Sequence, residues 1–164
     1  MDKKYPIRKS TRLREYDYSN SGYYFITICE EHKREALSTI ENTILTLNEY
    51  GKIVENNWLQ LVNRYTNLGL DSYVIMPNHF HGILILENDK NVKPVSSTSI
   101  VGAFKSLTTI AIHKAGLKEF KWQRSFYDRI IRDEKELFQI RKYIEQNPFR
   151  WDIEKDNPNN IDLM

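Results

Sequence analysis

The chain has 164 residues, 40% hydrophobic and 12% aromatic, with only 6 Gly and 5 Pro, which suits one packed domain and excludes a low-complexity chain. Its 24 Lys and Arg stand against 22 Asp and Glu, for a net charge of +2. A lone cysteine, Cys29, excludes an internal disulfide and a cysteine-based zinc finger.

No apolar run reaches the length of about 18 residues that a membrane helix needs, so no membrane partner is expected. The charged start has no apolar stretch behind it, which predicts no secretory signal and a cytoplasmic protein. The charge is unevenly placed. Residues 1–14 carry Lys3, Lys4, Arg8, Lys9, Arg12 and Arg14 against Asp2 alone. From Asp152 on, Glu154, Asp156 and Asp162 outweigh Lys155. The expected organisation is one domain over 1–150, with a basic arm at 1–21 and an acidic polar tail at 151–164. A basic arm beside a neutral body suits phosphate-backbone binding. A solvated terminus explains the same charges equally well.

In chain order, Tyr23 to Cys29 is a strand by composition. Leu37 to Leu45 is ambiguous: Thr and Ile favour a strand, and Glu41-Asn42 a turn inside it. From Leu47 to Tyr65, Ile53, Val54, Trp58, Leu61 and Val62 fall at helical spacing, although Gly51 weakens the start. Tyr73 to Leu86 holds two apolar runs split by Pro77-Asn78, which predicts a hairpin. Ser-Ser-Thr-Ser at 96–99 offers an N-cap for a helix over 100–114, with Gly116 as its C-cap. Trp122 to Ile131 alternates as a strand. Asp133 opens a last helix, with Glu134 and Glu136 in its first turn, an apolar stripe of Leu137, Ile140 and Ile144, and Pro148 as its end. The order is βαββαβ plus a helix: an α+β, ferredoxin-like antiparallel sheet with helices packed on it.

Chemistry concentrates in Met76-Pro77-Asn78-His79-Phe80-His81-Gly82. Strand side chains alternate, so His79 and His81 share a face and Phe80 points to a core. Two imidazoles on one face can meet one ion or one phosphate, and neutral imidazole binds divalent metals. Two histidines also fall together by chance. On the last helix, Tyr143 and Asn147 are spaced i,i+4 and share a face. A tyrosine brought to a bound metal can attack a phosphodiester, with Asn147 as a third ligand. A rim tyrosine that only packs is the plain alternative.

Several stretches resemble the HUH-type single-tyrosine transposases, most closely the REP-associated branch. They are Arg8-Lys9-Ser10-Thr11-Arg12-Leu13 with Tyr16-Asp17-Tyr18, Tyr24-Phe25-Ile26-Thr27, the His79/His81 motif, Phe104-Lys105-Ser106, Trp122 to Arg132, and Tyr143-Ile144-Glu145-Gln146-Asn147-Pro148. The resemblance covers about residues 7–150. It implies that His79 and His81 bind Mg²⁺ or Mn²⁺, and that Asn147 completes the site. It also implies that Tyr143, on a C-terminal catalytic helix, attacks single-stranded or hairpin DNA and leaves a 5′-phosphotyrosine and a free 3′-OH. The residues expected to hold DNA are Arg8, Lys9, Arg12, Arg14, Lys105, Gln123, Arg124, Tyr127, Arg129 and Arg132. Relatives act as monomers or homodimers, and a nucleoid-associated place in the cytoplasm follows from the substrate. A domesticated hairpin binder, an RRM-like single-strand binder and a metal-dependent hydrolase without a covalent step stay open. The RNP1 signature of RRM domains is absent.

Overall fold

The computed structural model describes residues 13–89 and 93–154. Arg8, Lys9 and Arg12 therefore lie outside the described residues, as does the tail from 155 on. The elements run β1 (Gly22–Cys29), β2 (Ser38–Glu41), β3 (Ile44–Leu47), α1 (Glu49–Arg64), β4 (Leu68–Ile75), β5 (His79–Leu86), α2 (Ser97–Lys114), β6 (Tyr127–Ile131) and α3 (Glu134–Glu154). Four strands form one sheet in the order β4-β5-β1-β6, and every neighbour pair is antiparallel. With the β2–β3 hairpin set aside, this is the expected ferredoxin-like βαββαβ sheet. Among the described residues, no helix is long and apolar enough to cross a membrane.

One sheet face carries Tyr24, Ile26, Ile28, Ile75, Phe80 and Leu84, all buried in the main core with Val54, Trp58, Leu61 and Phe104 from α1 and α2. Trp58 and Phe104 close on Phe80 with ring centroids 4.7 and 5.2 Å away. Gly82 makes this contact possible: a Cβ there would stand 2.8 Å from the rings of both Phe80 and Trp58. Gly51, unfavourable for a helix by propensity, is also a matter of space. A Cβ on it would lie 2.1 Å from the Leu37 carbonyl oxygen. The α1 start is instead fixed by Asn48, whose Oδ1 accepts from the Tyr50 and Gly51 N–H groups.

The opposite face holds a smaller cluster of Ile83, Ile131 and Ile144, with Leu137 and Ile140 packed against it, and α3 lies there.

Three local expectations change. The ambiguous stretch 37–45 is the β2–β3 hairpin, turned by Asn42 and Thr43 with φ of 50° and 66°. Two successive positive φ values fit the right-handed strand twist. Threonine is a poor residue there, and its N–H is held by a 2.9 Å bond to Asp152 Oδ2. Second, the strand expected over 122–131 is regular only from Tyr127. Trp122 makes an isolated bridge to Glu30, and Lys105 Nζ donates to the Gln123 and Arg124 carbonyls at 2.7 and 3.0 Å. The lysine draws those carbonyls toward α2 and away from any ladder. Third, α3 does not end at Pro148 but continues to Glu154, with the proline inside it. Proline removes one helical N–H bond, yet contacts beyond it hold the extra turns: Asp152 to Thr43 and Trp151 beside His79. Residues 151–154 are therefore helix rather than tail.

Candidate active site

The ladder places the polar residues. β5 pairs with β1 so that His81 lies opposite Thr27, and His79 opposite Cys29. Directly opposed side chains share a face, so Thr27, His79 and His81 all stand on the α3 side. Both histidines are 1% exposed.

Each ring is held through Nδ1. His81 Nδ1 is 2.8 Å from Thr27 Oγ1, and His79 Nδ1 is 2.7 Å from Asn78 Oδ1. An amide oxygen only accepts, so His79 carries its proton on Nδ1 and its Nε2 keeps the lone pair. The Thr27 hydroxyl can set His81 the same way. Both Nε2 atoms are buried and have no hydrogen-bond partner, and the rings are 4.7 Å apart. Burial lowers the pKa of His79 to about 4, although a side-chain contact from Asn147 opposes the shift. Burial, and then the neighbouring His79, push His81 well below 6.5. Both rings are thus neutral at pH 7, the form that binds a metal.

From α3, Tyr143 sets its ring edge-on to Phe25 at 6.2 Å and to His81 at 5.4 Å. Phe25 in turn stacks on His81 at 5.4 Å. Asn147 is buried, and its Nδ2 donates to the Tyr143 carbonyl at 3.3 Å, which frees its oxygen for the His79 side. One turn later, Arg150 stands over the Tyr143 ring at 5.7 Å and Trp151 lies 6.1 Å from His79.

Two orphaned imidazole nitrogens and an amide oxygen are donors that fit a divalent ion. Burial raises the Cys29 thiol pKa, which keeps the thiol protonated. Among the described residues, no three His, Cys, Asp or Glu side chains converge on a metal position.

Four residues singled out from sequence thus meet: His79, His81, Tyr143 and Asn147. Of the expected DNA contacts, Tyr127 and Arg129 stand on the same sheet face, opposite Thr27 and Phe25. Tyr127 is exposed on β6. Arg129 Nε is paired with Glu136 at 2.5 Å, and the Arg132 N–H donates to the same carboxylate. Arg124 is exposed and Gln123 half-buried in the loop that Lys105 grips, while Arg14 is exposed before β1. Phe25, Thr27 and Asn78 lie in the stretches that carry the resemblance but have no role assigned there, and Arg150 and Trp151 lie beyond them. Thr27 carries a sequence signal, a lone hydroxyl between Ile26 and Ile28.

The family model described as IS200-like transposase matches residues 21–147, more than three-quarters of the 164. The chain belongs to the IS200-like transposase family. A Haemophilus influenzae relative of unassigned function is 38% identical over 162 residues, covering 88% of this chain and 90% of its own. The fold also matches a REP-associated tyrosine transposase bound to a REP hairpin, with TM-score 0.63, 22% identity, and coverage of 85% of this chain and 73% of that one. A candidate transposase from Deinococcus radiodurans R1 matches with TM-score 0.52, 19% identity, and coverage of 82% and 95%. In this IS200-like chain the family match ends at Asn147. It therefore takes in both histidines and Tyr143 and stops short of Arg150 and Trp151.

Proposed function

We propose that this transposase-family protein cuts and rejoins single-stranded or hairpin DNA through a covalent bond to Tyr143. The observation that carries the reading is a pair of buried, unpartnered Nε2 atoms beside a tyrosine delivered from a different element. In the step, the Tyr143 Oη–P bond forms and the P–O3′ bond breaks. The phenolic proton goes to water, and the leaving 3′-oxygen takes one up. The product is a 5′-phosphotyrosine and a free 3′-OH, so the ester keeps the bond energy for the reverse step. His79 and His81, with Asn147, would hold Mg²⁺ or Mn²⁺, which neutralises charge on the phosphoryl oxygens. Imidazole donors favour Mn²⁺ as the tighter of the two.

The chain's own residues do the rest. Thr27 and Asn78 fix the rings, and Phe25 supports both His81 and Tyr143. The solved relative was bound to a REP hairpin, which supports hairpin DNA as the partner here. Arg124, Tyr127, Arg132 and the basic arm with Arg8, Lys9, Arg12 and Arg14 are proposed to hold its backbone. Lys105 and Gln123 shape the loop, and Arg129 would act only by leaving Glu136. Tyr143 packs against His81 of its own chain, which supports a monomer over a homodimer as the active unit.

The RRM-like alternative loses ground because α3 covers the sheet face that would stack bases. The test is a denaturing gel of labelled hairpin oligonucleotides, with randomised single-stranded flanks, incubated with protein and Mn²⁺. A covalent band is expected from the wild type and from Tyr127→Phe, and none from Tyr143→Phe. A wild type that binds the hairpins but never links to them would establish the domesticated-binder reading instead.

A further inference from the structure

Beyond the metal position and the nucleophile, we infer that Arg150 is the protein's own clamp on the scissile phosphate; this rests on Tyr143 being the nucleophile. Tyr143, Asn147 and Arg150 are spaced i, i+4, i+7, one stripe on a continuous helix. The stripe exists because α3 runs through Pro148 to Glu154. Had the helix stopped at the proline, residue 150 would not be held on this face.

The guanidinium carbon of Arg150 stands 5.7 Å from the Tyr143 ring centroid, within cation–π range. Other arginines on this side are engaged by carboxylates: Arg129 by Glu136 and Arg141 by Asp71. Among the described residues, no carboxylate is paired with Arg150, which is exposed. An arginine held by a ring face keeps its five N–H donors for another acceptor. An attacking Oη must come within about 3–3.5 Å of phosphorus. The non-bridging oxygens of that phosphate then lie beside the same ring, where a planar donor fork can bind them. As Oη–P forms and P–O3′ breaks, charge on those oxygens is met by Arg150 from the helix side.

The test uses the full chain, Mn²⁺, and the labelled hairpin oligonucleotide of the adduct gel. The same oligonucleotide is also made with a methylphosphonate at the scissile linkage, which removes the charge of one non-bridging oxygen. Arg150→Gln should slow adduct formation about 100-fold on the phosphate, and Arg150→Lys less. On the methylphosphonate, Arg150→Gln and the wild type should become equal. An unchanged rate on the phosphate, or the same deficit on both substrates, would overturn the inference while leaving Tyr143 in place. Absence of any wild-type adduct would overturn the nucleophile reading and this one with it. Melting curves of both variants separate a folding defect from either result.

Discussion

The two faces of the sheet differ in what they bury: an aromatic core on one, the candidate site on the other. On the α1/α2 side, the rings of Trp58, Phe80 and Phe104 interlock around residues that are 0% exposed. On the α3 side, three buried isoleucines share the surface with two histidines, a threonine, an asparagine and a half-buried tyrosine. β5 serves both, since its alternation sends Phe80 one way and His79 and His81 the other. A site built on one face of a strand whose other face is locked in a core is held rigidly without adding to that core.

The sharpest break of the comparison is a pair of substitutions, one per face. Tyr143→Phe removes one hydroxyl from the α3 side and should abolish the DNA adduct at an unchanged melting temperature. Trp58→Ala on the other face should cost about 3–5 kcal/mol, because the cavity cannot collapse among packed rings. Chemical denaturation and the adduct gel, run on both, read the two effects. A Tyr143→Phe protein as destabilised as Trp58→Ala would show that the two faces are not separate.

Acid should weaken the α3 side. Burial lowers His79 from 6.5 to about 4, so between those values the unfolded chain binds a proton that the folded chain refuses. Metal-free protein should keep full stability above pH 6.5 and lose about 3 kcal/mol by pH 4 from this residue. His81 adds a loss of the same sign. Denaturant midpoints in chelator across that range test it: a shallower profile in His79→Gln, and a flat one only when His81 is replaced as well, would assign the slope. Metal binding should fade in the same direction, because protons compete for the same nitrogens.

Thr27→Val keeps the shape of the side chain and removes the partner of His81 Nδ1. Loss of such an outer partner typically costs 10–100-fold in metal affinity, so about that drop is expected for Mn²⁺ in a titration calorimeter. Equal affinity would mean that packing against Phe25 alone orients the ring.

What sequence made legible follows from range. His79, Phe80 and His81 could be sorted to faces because strand alternation is a two-residue rule. Tyr143 and Asn147 could be paired because helical spacing is a four-residue rule. Thr27 could not be assigned to the histidines, since it meets His81 through a register 54 residues long in sequence, and the Asn78 contact depends on side-chain rotamers that no spacing rule fixes. Local rules also misled. Pro148 is a sound helix stop by propensity, but Asp152 reaching Thr43 across the chain overrode it. Likewise the apparent alternation over 122–131 hid a loop, because Lys105 from α2 captures its carbonyls.

The smallest expected effect concerns what ties α3 to the sheet edge. Arg141 binds Asp71 with two parallel bonds of 2.8 and 2.6 Å, one helical turn before Glu145 and beside the β4 bulge. The Arg141 hydrogen bonds hold the Asp71 carboxyl down at about 2, against 3.8 ordinarily. A depressed carboxylate stabilises above its unfolded pKa, and that contribution drains away as pH falls from about 3.8 toward 2. Because the arginine side chain is 45% exposed, water and salt screen the pair, and about 1 kcal/mol or less is a fair size. Asp71→Asn should therefore lower stability slightly at pH 7, and less at high salt. Near pH 2 the variant and wild type should converge. Hydrogen exchange gives the more telling readout, since the bond joins α3 to β4 and touches nothing in α1 or α2. Faster exchange confined to α3 would place the loss on the weaker face. Equal acceleration in α1 would mean that the faces open together, and that the division between them is one of chemistry alone.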